Sequence, residues 1–361
     1  MAGHAAAGHG CLVVIDTGYS AGWTPGNLIY QHDFADNDGD AGNPNPDTHG
    51  SLVTAVALQA VPALDIIELK VSRGSSSQID PAPVERALQW CVDNADRYGI
   101  DAINLSLCYG NVQTPTRSIL SNEFAALDRA GILVCAAAGN ARTAYPGVDG
   151  ISWLASDPHV IAVSASNEGA GSGFAAFSQR HPALTDIAAD GRDVVVYDDR
   201  AGAHVVSGTS FAAPLVAATL AQAQADAERL WGRRLSVDQA IGLLQATGDP
   251  IDAAPQDASY HVLNQNALQT GLNTAMATAL QGTTAPVPGS AVGPVQGSGV
   301  FPAAWTDMAP AMAPAMAPQT AMAETAGILA ETGTAWAGNS VLPFHRRMSD
   351  NAFESLLGAF A

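Results

Sequence analysis

Lysine is almost absent from this chain: Lys70 is the single one, and all basic residues number 15 against 34 acids, for a formal net charge of −19. A surface so poor in positive charge excludes nucleic acid and anionic membrane as partners, because both reward clustered Lys and Arg. Cysteine is sparse too: four residues, Cys11, Cys91, Cys108 and Cys135, lie far apart with no CxxC pair. That spacing offers no thiolate metal site; structural disulfides stay open to it, while so sparse a set fits a reducing compartment slightly better. Cys135 falls within the apolar run Ile132 to Ala138 and reads as a buried thiol. Met1 to Gly10 has no basic start and no apolar core, so no secretory signal is expected there. No uninterrupted apolar run is long enough to span a bilayer. The expected location is the cytoplasm, or the exterior by a route that reads a C-terminal signal.

Apolar residues, by contrast, make up 47% of the 361, enough for one large core with appendages. Leu12 to Ile15, Ile66 to Val71, Ala102 to Leu107, Gly131 to Ala138 and Val160 to Ala165 are short apolar runs that read as buried strands. Helical stretches at Leu52 to Ala60, Pro83 to Tyr98 and Ile119 to Ala130 alternate with them. This alternation predicts an α/β fold with a doubly wound, mostly parallel sheet flanked by helices. Phe174 to Ser178, Val194 to Tyr197 and Ala203 to Val206 continue the strand-like pattern, the last as the end of a buried strand. Helices follow at Leu215 to Ala227 and Val237 to Thr247, and Tyr260 to Asn264 introduces a last short helix.

Four positions on this frame carry chemistry. Asp16 closes the first strand before Thr17-Gly18, where open α/β sheets keep their sites. His49 opens a helix within Asp47-Thr48-His49-Gly50, and a histidine so held is a candidate base. Asn140 follows a buried strand in Gly139-Asn140 and offers a carboxamide donor. Ser210, in Ser207-Gly208-Thr209-Ser210-Phe211-Ala212-Ala213-Pro214, stands between a tight turn and a helix. Proline is tolerated only in a helix's first turn, so that helix is expected to begin within about four residues before Pro214. There the backbone N–H of Ser210 points outward and the helix dipole favours developing negative charge. Taken singly, each has a plainer reading as a turn residue or a helix cap.

Residues 32 to 48 form an acidic, Pro/Gly-rich loop holding Asp36-Asn37-Asp38-Gly39-Asp40. Oxygen ligands at alternate positions suit Ca²⁺, so Asp36, Asp38 and Asp40 are candidate ligands, although Ala41 and Asp47 stand where an EF-hand loop has Gly and Glu. Composition changes near Gly282. Residues 282–320 are rich in Ala, Pro, Gly and Thr, with a Met-Ala-Pro-Ala repeat from Met308 to Pro318, and read as a linker. Residues 321–361 form a C-terminal tail in which Phe353, Leu356, Leu357 and Phe360 share one face of a terminal amphipathic helix. Such a tail is expected either to dock a partner or export machinery or to fold its helix back on the body.

The order Asp16, His49, Asn140, Ser210, with the residues around each, resembles the subtilisin-like (subtilase) serine peptidases. Val14-Ile15-Asp16-Thr17-Gly18 is similar to the family's Asp motif, Asp47-Thr48-His49-Gly50-Ser51 to its His motif, and Ala136-Ala137-Ala138-Gly139-Asn140 to its oxyanion segment. Gly208 to Pro214 is similar to its Ser motif, and Tyr145-Pro146 and Val262-Leu263-Asn264 to lesser landmarks. The resemblance covers roughly residues 11 to 270. It implies a peptidase domain over 11–281 after a short extension, 1–10. It further implies a serine endopeptidase in which Ser210 is nucleophile, His49 base, Asp16 its orienting partner, and Asn140 an oxyanion donor. Ser106, Leu107, Cys108 and Gly110 would form one wall of the peptide groove, Ala138 and Gly139 the other, with a peptide or protein as substrate and no required cofactor. Leu52 and Ser51 depart from the family's His motif. Cys108 and Tyr109 replace its usual glycines, predicting a narrower rim. The family's propeptide is not expected among the residues before Asp16, so either the domain folds unaided or its chaperone segment lies outside this chain. A peptide macrocyclase or other acyl transferase using the same triad, and a non-catalytic binding module, are the alternative readings.

Overall fold

A computed structural model of the chain describes residues 8–20, 23–45, 48–76, 78–167, 173–198, 202–251 and 260–282. The linker and tail readings for 283–361 lie outside them. In chain order the elements begin β1 (Cys11–Asp16), β2 (Tyr19–Ser20), β3 (Leu28–Asp33), β4 (Gly42–Asn43), α1 (His49–Ala60), β5 (Asp65–Lys70), α2 (Pro81–Tyr98), β6 (Ala102–Leu105), α3 (Ser121–Arg129) and β7 (Leu133–Ala137). There follow β8 (Ile161–Ser166), β9 (Ile187–Asp190), β10 (Val194–Asp198), β11 (Gly202–Val206), α4 (Thr209–Trp231), α5 (Val237–Thr247), β12 (Asp249–Pro250), β13 (His261–Val262) and α6 (Gln265–Gly282). Nine strands form the main sheet in the order β12-β13-β9-β8-β7-β6-β1-β5-β3, parallel throughout except for the β12–β13 pair.

β1 lies inside this sheet, which explains its unbroken apolar sequence: every residue from Cys11 to Asp16 is buried. Leu12 and Val14 face the layer with α1 and α4, while Val13 and Ile15 face the layer with α2 and α3. Burying both faces is what parallel strands require. α4 packs its alanines, Ala212, Ala213, Ala217, Ala218 and Ala221 among them, against the sheet, and all are fully buried. Helix ends follow their local chemistry. Thr48 caps α1 by accepting from Ser51 N, Ser236 and Gln239 form a capping box on α5, and Gly99 and Gly232 end α2 and α4 in the left-handed region.

Three expectations change. Phe174 to Ser178 is not a strand; it returns against β8 through an isolated bridge of Ser166 with Phe174. Ala203 to Val206 belongs to the separate β10–β11 ribbon, and Val205 is 61% exposed, so this is not a buried sheet strand. α4 begins at Thr209, earlier relative to Pro214 than the first-turn rule allows. The edge strand β3 and the long α6 gave no clear apolar period. All four cysteines are free thiols.

Candidate active site

The carboxyl ends of β1, β6 and β7 open on the same side of the sheet, and the first turn of α4 lies across them. Asp16, the last residue of β1, is fully buried. His49 Nδ1 lies 2.9 Å from one of its oxygens and 3.0 Å from the other, and Thr17 N donates to Oδ1 at 2.7 Å. The first turn of α1 is pressed against the turn after β1. Gly50 N donates to Thr17 Oγ1 at 2.9 Å, and Thr48 Oγ1 donates to Gly18 O at 2.8 Å. Position 50 has to be glycine, since a Cβ there would stand 2.4 Å from Gly18 O. The His49 side chain is 27% exposed. Burial pushes its pKa down, but the charge and hydrogen bond of Asp16 outweigh this and hold it above the ordinary imidazole value.

Ser210 is buried in the first turn of α4. Pro214 has no N–H to give the Ser210 carbonyl, as a residue four positions on in a helix otherwise would. Ser106 Oγ donates to that carbonyl instead, at 2.7 Å, and is itself held by Asn104 Nδ2 at 3.0 Å. An interior proline is thus accommodated, and α4 is bound to the end of β6. The Ser210 hydroxyl donates to Ser106 O at 3.4 Å. Among the described residues no hydrogen bond joins it to His49, whose ring stands 5.6 Å from that of Phe211. Hydrogen bonds between a nucleophile and its base commonly tighten only with substrate bound.

Asn140 follows β7 through Gly139, whose φ of +112° is open to glycine. Its Oδ1 accepts from Thr209 N at 2.8 Å and from Thr209 Oγ1 at 3.0 Å, which turns Nδ2 away as a free donor; Gly139 N donates to Thr209 Oγ1 at 3.1 Å. Thr209 therefore fixes the carboxamide beside Ser210.

The structure also places the remaining expected residues. Ser106, Leu107, Cys108 and Gly110 follow β6, and Ala138 and Gly139 follow β7, on either side of the Ser210 turn. Asp36, Asp38 and Asp40 are not assembled as a calcium site. Asp36 accepts from Gly74 N at 2.9 Å and lies 3.6 Å from Lys70 Nζ, while Asp38 and Asp40 accept from Asp40 N and Gly42 N. Among the described residues no group of three His, Cys, Asp or Glu side chains is placed to hold a metal ion. Lys70 is buried and paired with Asp33.

Sequence reading missed three supports. Thr209 stood inside the Ser210 motif without a role. Gln179, 3% exposed, carried no signal at all. Glu68 was visible as an acid within an apolar strand: fully buried, it accepts from Thr54 of α1, leaves Oε2 without a partner, and is pushed up to about 8 by burial, Asp16 adding to the rise.

A family model described as the subtilase family matches residues 12–280. The chain belongs to the subtilase family. It is a serine protease by that membership. Solved structures share the subtilase fold. A cold-adapted subtilisin-like serine proteinase aligns at 23% identity with a TM-score of 0.58, over 72% of this chain and 89% of that one. The prenylagaramide maturation protease PagA aligns at 21% and 0.57, over 73% and 93%. The protease domain of PatA, as a mutant, aligns at 20% and 0.57, over 74% and 97%. No curated protein matches this subtilase in sequence.

Proposed function

We propose that this subtilase is an endopeptidase working through an acyl-enzyme on Ser210. The Ser210 oxygen attacks the scissile carbonyl as His49 Nε2 takes its proton. The C–N bond then breaks, and the amine departs with that proton. Water, deprotonated by the same nitrogen, releases the carboxylic acid and restores Ser210. Asp16 fixes the tautomer with Nδ1–H and stabilises the imidazolium. Asn140 Nδ2 and the Ser210 N–H receive the oxyanion.

The observation that carries this reading is the seating of His49 Nδ1 on both oxygens of a fully buried Asp16. That contact leaves Nε2 as the nitrogen able to accept a proton. The test is labelling by a fluorophosphonate probe together with mass spectrometry of products from a peptide substrate. Wild type should label, Ser210→Ala should not, and products should be linear and gain one water. A folded wild type that does not label overturns the proposal; cyclic products assign the acyl group to an internal amine instead.

A further inference from the structure

Two segments leave the sheet beside Ser210, one after β6 and one after β7, adjacent strands that pair Leu105 with Ala136. Ser210 Oγ rests on Ser106 O in the first, and Asn140 of the second is bound to Thr209. Accepting the hydrolytic reading above, an acyl group bonded to Ser210 with its oxygen toward Asn140 sets its own side chain, one carbon away, into the space between these segments.

That space is crossed repeatedly. Cys108 Sγ reaches 3.5 Å from Ala137 O and 3.9 Å from Thr209 Oγ1. Burial pushes this thiol up to about 12, so it stays neutral and acts as a filler. Ser152 N donates to Ala138 O at 2.7 Å, while Ser152 Oγ accepts from Tyr109 N at 2.8 Å. Beyond them lies the carboxamide of Gln179. Its Nε2 donates to Gly110 O at 3.0 Å and to Asn111 Oδ1 at 2.7 Å, its Oε1 accepts from Ala141 N at 3.2 Å, and its backbone N donates to Gly139 O at 2.8 Å. It lies so close on Gly139 that a Cβ there would come 2.0 Å from Oε1. Both N–H groups of the carboxamide are used. Displacing it to admit a large side chain breaks the hydrogen bonds by which it ties the two walls together.

We propose that Cys108 and Gln179 are specificity-determining residues that close this slot, restricting the acyl side of the cut to a small uncharged residue: Gly, Ala or Ser. A bulky side chain must either displace them or leave the acyl carbon out of line with Ser210.

The test is kcat/KM on fluorogenic peptide amides that differ only at the residue before the cut, Ala, Ser, Leu, Phe or Lys, for wild type, Cys108→Gly and Gln179→Ala. One methylene in a pocket changes selectivity about 10- to 200-fold, so wild type should favour Ala and Ser over Leu, Phe and Lys by roughly 10²-fold or more. Each variant should raise the Leu-to-Ala ratio by about 10-fold, a gain that a merely structural role does not give. Cys108→Gly supplies the answer if Gln179→Ala does not fold. Wild type that labels with fluorophosphonate yet cleaves as well after Leu or Phe overturns the slot alone. An unchanged ratio in both variants overturns the assignment to these residues. Absence of labelling overturns the hydrolytic reading and this one with it.

Discussion

Replacing Asp16 by Asn isolates what the buried carboxylate does for His49. The imidazole meets both carboxylate oxygens, at 2.9 and 3.0 Å, on an acid that water does not reach. A hydrogen bond to a charged group contributes about 1.5–3 kcal/mol net, and about 1.36 kcal/mol corresponds to one pKa unit. Losing the contact while burial still opposes the charged ring should therefore lower the His49 pKa. The acid limb of kcat/KM reports this group in the free enzyme, because only the neutral imidazole can take the Ser210 proton. In wild type that limb should lie above the ordinary imidazole value of 6.5, and in Asp16→Asn it should move to lower pH. Turnover itself should fall on the order of 10⁴-fold, because Asn holds the wrong tautomer. Stability follows with a definite sign. A raised histidine pKa stabilises the fold fully below the unfolded value near 6.5, and this contribution is lost as pH rises through the folded value. Urea midpoints of wild type and variant should thus converge as pH rises through that window. An acid limb that stays in place in Asp16→Asn would refute the claim that this contact sets the basicity of His49.

Further predictions concern the supports. Ser106→Ala should destabilise by about 1–3 kcal/mol, since the Ser210 carbonyl is left buried without a donor; adding Pro214→Ala should recover part of that loss, and urea unfolding of the double-mutant cycle reads the coupling. Gly139→Ala should abolish turnover while leaving a folded protein by circular dichroism, because its φ of +112° and the 2.0 Å approach to Gln179 displace Asn140. Glu68 has a folded pKa raised to about 8 from 4.5, so wild-type stability should fall between those pH values; in Glu68→Gln, urea midpoints should lack that fall.

How much of this the sequence discloses depends on where the signal resides. β1, β6 and β7 are legible because strands buried on both faces are largely apolar, and Asp16 and Asn140 because each follows such a run, whereas His49 and Ser210 are marked by the helices they open. β3 escapes notice because it is a sheet edge of mixed character, Leu-Ile-Tyr-Gln-His-Asp, mostly half-buried. The acidic loop is ambiguous in sequence because alternating aspartates accept from backbone amides of their own loop, as Asp38 and Asp40 do, at the same spacing that suits an ion. Gln179 could not be foreseen: its partners precede it by 68, 69 and 38 positions, with no motif around it. Pro214 misled in a useful way, since the rule that places proline in a first turn assumes that no hydroxyl takes over the orphaned carbonyl, and Ser106 does.

Lys70, the chain's one lysine, lies sealed between β5 and the acidic loop, held by Asp33 and Asp36. Under the proposed mechanism an acylated Ser210 would pass its acyl group to an amine as well as to water, and the buried Lys70 offers no exposed ε-amine on a neighbouring copy to receive it. Lysine-directed reagents should likewise find no exposed ε-amine to modify.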